Sequence, residues 1–228
     1  MKGWFLFLVL LVLCLVFLAG CTPETLEGPR QGTLEDKESG TIQENQSGEG
    51  QRTEGGGVMG KVLFIIAQNQ FRDEELEKPK EILEDAGFET DVASLTTDTA
   101  VGMLGARVKP DLAVMDAEPD EYDLIVVVGG MGAPELAEHD EVLELLSRAK
   151  EDDKKLGAIC LGPLVLAKAG VLQGKKATVF KTPESVVALG DKGAVLVDED
   201  VVVDESVVTA NGPDAAERFG RELVDLLQ

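Results

Sequence analysis

Apolar positions follow three regimes along the chain. Every residue from Trp4 to Ala19 is apolar, with Lys2 before the run. Residues 22–57 are mostly Gly, Glu, Gln, Ser and Thr, with almost no large apolar side chain. From Met59 onward, short apolar runs alternate with stretches of helical spacing, as in an α/β domain. Lys61–Ala67 (KVLFIIA) is a continuous β-branched and apolar run, the pattern of a strand buried on both faces. Glu74–Ala86 has helical spacing and ends at Gly87, and Pro79 should bend or loosen its first turns. Phe88–Ser94 reads as a second strand. Residues 95–122, with Pro110 and Pro119, are less regular and predict one short strand near Val108. Asp123–Val128 is another buried strand, closed by Gly129-Gly130. Pro134–Lys150 predicts one long amphipathic helix. Leu156–Ile159 is a strand, and Gly162–Ala169 is a helix stopped by Gly170. Ala177–Phe180, Ala194–Val197, Val201–Val203 and Ser206–Thr209 read as short strands. Asp214–Leu227 is a last helix, introduced by Asn211-Gly212-Pro213. Strands alternating with helices predict a mostly parallel sheet with helices on both faces. Ligands in such sheets gather beyond the carboxyl ends of the strands. The loop after Ala67, the Gly129-Gly130 turn and Cys160 all fall there.

The first two regimes predict an exported, tethered chain. A basic residue before about 16 apolar residues has the form of a signal-peptide leader. It is slightly short for a membrane span of about 20 residues. The run ends Leu18-Ala19-Gly20-Cys21, which resembles the lipobox of prokaryotic lipoproteins. That resemblance implies removal of residues 1–20, lipid on Cys21, and a lipid-anchored domain on the periplasmic or external face of the cell membrane. The alternative is an uncleaved N-terminal anchor, which places the domain on the same side because Lys2 stays inside. Residues 21–57 then form a tether too polar to fold on its own, about 30–35 Å end to end as a flexible coil. The domain proper spans 58–228.

Charge and rare residues narrow the chemistry. The chain has 43 acidic and 21 basic side chains and a net charge of -22, which repels nucleic acid. It has one His, His139, and three Cys, at 14, 21 and 160. No His pair or Cys/His cluster can be built from these, so no metal site and no cofactor is expected. Cys14 leaves with the leader and Cys21 carries lipid. Cys160 remains as a lone thiol, either a buried small hydrophobe or a reactive group.

The surroundings of Cys160 favour reactivity. In Leu156-Gly157-Ala158-Ile159-Cys160-Leu161-Gly162-Pro163 a strand runs into a helix with Cys at the turn. Small residues stand two before (Ala158) and two after (Gly162), the nucleophile-elbow pattern with Cys in place of Ser. The following helix points its N-terminus at the sulfur, which favours thiolate. The Leu161 N–H, with one from Gly129 or Gly130, would supply an oxyanion hole.

Four segments, KVLFIIAQNQFRDEELEKPKEILEDAGFE, DLIVVVGGMGAPEL, GAICLGPLVLAKAGVLQGKKAT and VVTANGPDAAERFGRELVDLL, resemble the ThiJ/PfpI superfamily in order and spacing. The superfamily includes archaeal peptidases, stress chaperones and a parkinsonism-associated deglycase. The resemblance implies a flavodoxin-like three-layer α/β sandwich, related to class I glutamine amidotransferases, and a homodimer or higher homo-oligomer. It gives Cys160 the place of the elbow nucleophile and Glu75 that of its protonated acidic partner, with Glu74 the alternative by one register. Gly129 and Gly130 match the glycine pair near the sulfur. Glu135 resembles an acid contributed across an interface. The departures are as informative. Leu161 stands where PfpI-type members have His, and Phe180 stands near the His of glyoxalase- or deglycase-type members. No His follows His139, which the helical pattern puts on an outer face. Four functions are consistent with these residues. They are cofactor-free chemistry on reactive carbonyls or glycated adducts, a redox-responsive or chaperone-like module, a cysteine peptidase, and a tethered scaffold that kept the elbow as packing.

Overall fold

A computed structural model describes residues 59–228. The expected leader, Cys14, Cys21 and the tether lie outside the described residues. In chain order the strands are β1 (Lys61–Ile65), β2 (Asn69–Phe71), β3 (Glu89–Ser94), β4 (Ala100–Gly102), β5 (Arg107–Val108), β6 (Leu112–Ala113), β7 (Leu124–Val127), β8 (Lys155–Ile159), β9 (Lys176–Ala177), β10 (Val195–Leu196), β11 (Val201–Asp204) and β12 (Val207–Ala210). The helices are α1 (Asp73–Asp85), α2 (Ala133–Leu136), α3 (Asp140–Glu151), α4 (Gly162–Lys168), α5 (Pro183–Asp191) and α6 (Ala216–Leu227).

Seven strands form the central sheet in the order β11-β12-β8-β7-β1-β3-β6. All pairings are parallel except the β11–β12 edge hairpin. Alternation along the strands explains the three layers. Leu63, Ile65, Ile125 and Val127 point to one face, where Val142 and Leu146 of α3 and Val165 of α4 close a core. Val62, Phe64, Leu124 and Val126 point to the other, against Leu76 and Leu83 of α1 and Phe219 and Leu223 of α6. Each such side chain contributes roughly 1.5–3 kcal/mol when fully buried. The central strands β1 and β7 are therefore apolar at every position after Lys61. The result is the flavodoxin-like three-layer sandwich that the resemblance implied.

Several boundaries differ from the sequence reading. The stretch 134–150 is two helices, because His139 takes an extended conformation (φ -109°, ψ 116°) and Asp140 and Glu141 open a new first turn. The strand expected over 177–180 stops at Ala177. Thr178 N–H bonds the Thr209 hydroxyl at 2.9 Å, and Phe180 N–H bonds the Cys160 carbonyl at 2.8 Å. Helix α5 was not foreseen. Its start is a reciprocal cap between Thr182 and Ser185 with Pro183 in the first turn. β2, β4 and β5 form a small side sheet, and β9 and β10 another. The α1 helix runs unbroken through Pro79. Pro79 has no N–H to give the Glu75 carbonyl one turn earlier.

Candidate functional site

The site sits where β7 and β8 end. After Ile159 the chain reverses at Cys160, which has φ +61°, a left-handed conformation that costs a non-glycine residue about 1 kcal/mol or more. Two long-range bonds hold it there: Cys160 N–H to the Ala210 carbonyl and Phe180 N–H to the Cys160 carbonyl, each 2.8 Å. The flanking small residues have steric reasons. A Cβ at Gly162 would lie 2.5 Å from the Val127 carbonyl oxygen. A Cβ at Gly129 would lie 2.5 Å from both Cys160 Cβ and Glu75 Oε2, and 2.6 Å from the Ile159 carbonyl oxygen. Gly129 is thus the gap through which the carboxyl reaches the cysteine.

Of the two adjacent acids, Glu75 is the one beside Cys160. Glu74 turns to Arg72, accepting from Nε at 2.7 Å and Nη2 at 3.1 Å, and this pairing contributes to holding its carboxyl below the ordinary range. Glu75 is fully buried, and neither carboxylate oxygen completes a hydrogen bond of good geometry. Burial pushes its carboxyl up to about 7, against the pull of the nearby Cys160 thiol, the Arg72 charge and the Gly129 N–H. The thiol does not follow the helix-N-terminus expectation. Burial and the Glu75 charge push Cys160 up to about 12, although the N–H groups of Gly130 and Leu161 face the sulfur and pull it down. The helix after it, α4, has only seven residues. The two acids form one coupled pair. Burial favours the neutral form of both groups.

Above the pair opens a cavity of about 500 Å³. Cys160, Glu75, Gly130 and Leu161 line it, as the sequence pattern anticipates for a site at this edge. Gly129 lies beneath, against Glu75. Glu135 is exposed on α2 and away from the cavity lining. His139 caps α3, with Nδ1 3.4 Å from Glu141, and is also away from the lining. Sequence reasoning missed Arg72, Met103, Met131, Leu164 and the α5 residues that complete the walls. Met103 arrives on the β4–β5 hairpin, held by Asp73, which accepts from the N–H groups of Leu104 (2.9 Å) and Ala106 (2.8 Å). No local signal in the sequence announces that contact. Among the described residues, no group of three or more His, Cys, Asp or Glu is arranged to hold a metal ion. No described helix is long and apolar enough to cross a membrane.

A three-layer sandwich with a cysteine elbow and a buried carboxyl partner defines the class: flavodoxin-like proteins with a thiol at the sheet's carboxyl edge. Within that class the chain belongs to the DJ-1/PfpI family, whose model matches residues 60–226. It is 44% identical over 169 residues to an uncharacterized protein of Methanocaldococcus jannaschii, covering 74% of this chain and 82% of that one. An uncharacterized protein of Staphylococcus epidermidis is 39% identical over 175 residues, covering 75% and 99%. The crystal structure of a ThiJ/PfpI domain protein from Brachyspira murdochii superposes with a TM-score of 0.70 at 30% identity, covering 73% of this chain and 95% of that one. Drosophila melanogaster DJ-1beta gives 0.67 at 28%, covering 73% and 89%. The match takes in 95% of the Brachyspira chain, so that protein consists almost entirely of this domain.

Proposed function

We propose that the domain is a cofactor-free, cysteine-dependent enzyme acting on reactive carbonyl compounds, with Cys160 as nucleophile and Glu75 as the proton-transfer group. The observation that carries this reading is Glu75. A fully buried carboxyl with no completed hydrogen bond costs on the order of 1–3 kcal/mol. It stands against the strained elbow cysteine, and such unrelieved costs cluster at working sites. Its shift to about 7 poises it to give and take protons near neutral pH.

With a 2-oxoaldehyde the steps balance without a co-reactant other than water. Sγ adds to the aldehyde carbon, and the carbonyl π pair moves to oxygen, which takes up a proton. The thiol proton passes to the solvent-side pool through Glu75. The Glu75 carboxylate then removes the C1 proton of the hemithioacetal, giving an enediol whose C2 oxygen takes up a proton. The proton from C1 is returned to C2 as the C1 hydroxyl gives up its own, leaving the thioester of a 2-hydroxy acid. Water cleaves the thioester and restores the thiol. C1 is oxidised and C2 reduced, so the sum is 2-oxoaldehyde plus water to 2-hydroxy acid. The Gly130 and Leu161 N–H groups support the oxygen as it gains charge. The sequence supplies no imidazole for these steps beyond His139, so proton transfer rests on the carboxyl.

The test is lactate release from methylglyoxal by residues 58–228, which carry a single thiol. Release is expected from the wild type, none from Cys160→Ser, and at least about 100-fold less from Glu75→Gln. A wild type that releases no more lactate than Cys160→Ser defeats the reading. A second reading is favoured by the two N–H groups facing Sγ: oxidation by two equivalents of peroxide, through sulfenate to a sulfinate that they and protonated Glu75 hold. It requires a Cys160 species about 32 Da heavier at low peroxide. Direct passage to sulfonate counts against it. The leader-like run and Cys21 support action outside the cytoplasm on a lipid tether, and the family resemblance supports a homo-oligomer; both belong to this proposal.

A further inference from the structure

Resting on that reading, we infer that the preferred substrates are 2-oxoaldehydes carrying an alkyl or aryl tail, rather than methylglyoxal or a sugar-bearing adduct, and that Phe180 sets this preference. Three observations support it. First, the cavity over Cys160 has a volume of about 500 Å³, within the range of sites that enclose a drug-sized ligand. A three-carbon dicarbonyl leaves most of it unfilled.

Second, the walls offer apolar surface from Met103, Met131, Leu161, Leu164, Phe180 and Ala188. Met131 is 64% exposed and Phe180 46%, so the apolar surface continues out of the mouth. Single exposed apolar residues are ordinary, but a contiguous set lining a cavity above a nucleophile marks a binding surface.

Third, several polar groups in the walls already have partners within the protein. Arg72 gives two of its N–H groups to Glu74, which turns the guanidinium onto that carboxylate. The Thr182 hydroxyl accepts from Ser185 N–H at 3.1 Å, and the Ser185 hydroxyl donates to the Phe180 carbonyl at 2.6 Å. Glu184 stands at the exposed start of α5, where its negative charge opposes an anionic tail. A polyhydroxy adduct would therefore lose its water partners and find few replacements short of the reacting pair. An alkyl chain loses nothing and removes apolar surface from water. Phe180 can be decisive because its backbone is fixed at both ends, by Cys160 and by Ser185. That fixes the start of its side chain relative to the sulfur.

The experiment compares methylglyoxal, butylglyoxal and phenylglyoxal with residues 58–228. Burial of each added methylene is worth roughly a threefold to fourfold gain. The expected kcat/KM for the butyl and phenyl compounds is at least about tenfold above that for methylglyoxal. Phe180→His should collapse that ratio toward one, with far-UV circular dichroism confirming the fold. Equal or better use of methylglyoxal by the wild type overturns the inference while leaving the carbonyl chemistry intact. Should no dicarbonyl be turned over, labelling of Cys160 by N-ethyl-, N-butyl- and N-phenylmaleimide, normalised to glutathione, decides. A rise in rate with tail size sustains the apolar preference although the catalytic reading has failed. A flat series overturns both.

Discussion

Near where the strands begin, the Tyr122 hydroxyl donates to Asp91 at 2.8 Å, and Lys61 Nζ lies 2.7 Å from the same carboxylate. The Lys61 ammonium also sits 5.1 Å over the Tyr122 ring, and Asp123 accepts from the Lys61 N–H at 2.9 Å. Every one of these groups has a partner. Where the strands end, the order is reversed. Glu75 is fully buried with no completed hydrogen bond, and Cys160 takes a left-handed backbone. One sheet carries both ends, and the same apolar strands support them. The satisfied end is what a polar cluster looks like when its task is stability. The unsatisfied end keeps a proton and a sulfur available at a stability cost, which the rest of the sandwich offsets.

The contrast can be broken from either side. Gly129→Ala should have the largest effect. Its methyl would meet Cys160, Glu75 and the Ile159 carbonyl within 2.6 Å. A destabilisation of about 1–3 kcal/mol is expected, together with a drop of at least about 100-fold in turnover, measured by urea unfolding and 2-hydroxy acid release. Asp91→Ala acts at the other end. It strands the Tyr122 hydroxyl and should cost about 1–3 kcal/mol, yet leave maleimide labelling of Cys160 unchanged. A change in labelling there would show the two ends to be coupled. Glu75→Met should move stability the other way, by about 1 kcal/mol upward at pH 7.5, while turnover is lost.

The same variant sharpens the comparison through pH. Glu75 holds its proton in the folded state up to about 7, whereas its unfolded value is near 4.5. Between those values the unfolded chain binds fewer protons than the folded one, so stability falls as pH rises and levels off above about 7. Denaturant melts should show that fall, on the order of 2 kcal/mol after allowance for coupling to Cys160. The fall should be smaller by that amount in Glu75→Met. The opposite end should be silent in this window. The pKa of Lys61 is raised by its bond to Asp91, so the ammonium keeps its charge throughout this window.

The sheet was legible because burial on both faces forces continuous apolar runs, as in KVLFIIA and DLIVVV. The elbow was legible because its steric demand fixes small residues at Ala158 and Gly162. The choice between Glu74 and Glu75 was not legible from residue type, since both acids suit a helix start. It rested on the family resemblance, and the geometry separates them by giving Glu74 to Arg72. The break at His139 was hidden because 134–150 keeps its helical spacing across it. α5 is hidden although Thr182-Pro183 is a start signal, because the apolar run through Phe180 has strand character up to the cap. The Met103 and Met131 walls come from segments 57 and 29 residues before Cys160 in sequence. Only the tertiary fold brings them to the thiol.

The two bonds that pin Cys160 come from Ala210 and Phe180, both later in the chain. Synthesis runs from the N-terminus, so Cys160 emerges before either partner exists. Until β12 pairs with β8, the cysteine lacks its Ala210 anchor, one of the two bonds that hold its left-handed backbone. A chain still being made carries Cys160 on an unfinished strand. The last strand of the sheet to be made thus supplies part of the elbow's backbone, so the shape of the site is set only when the chain is nearly complete.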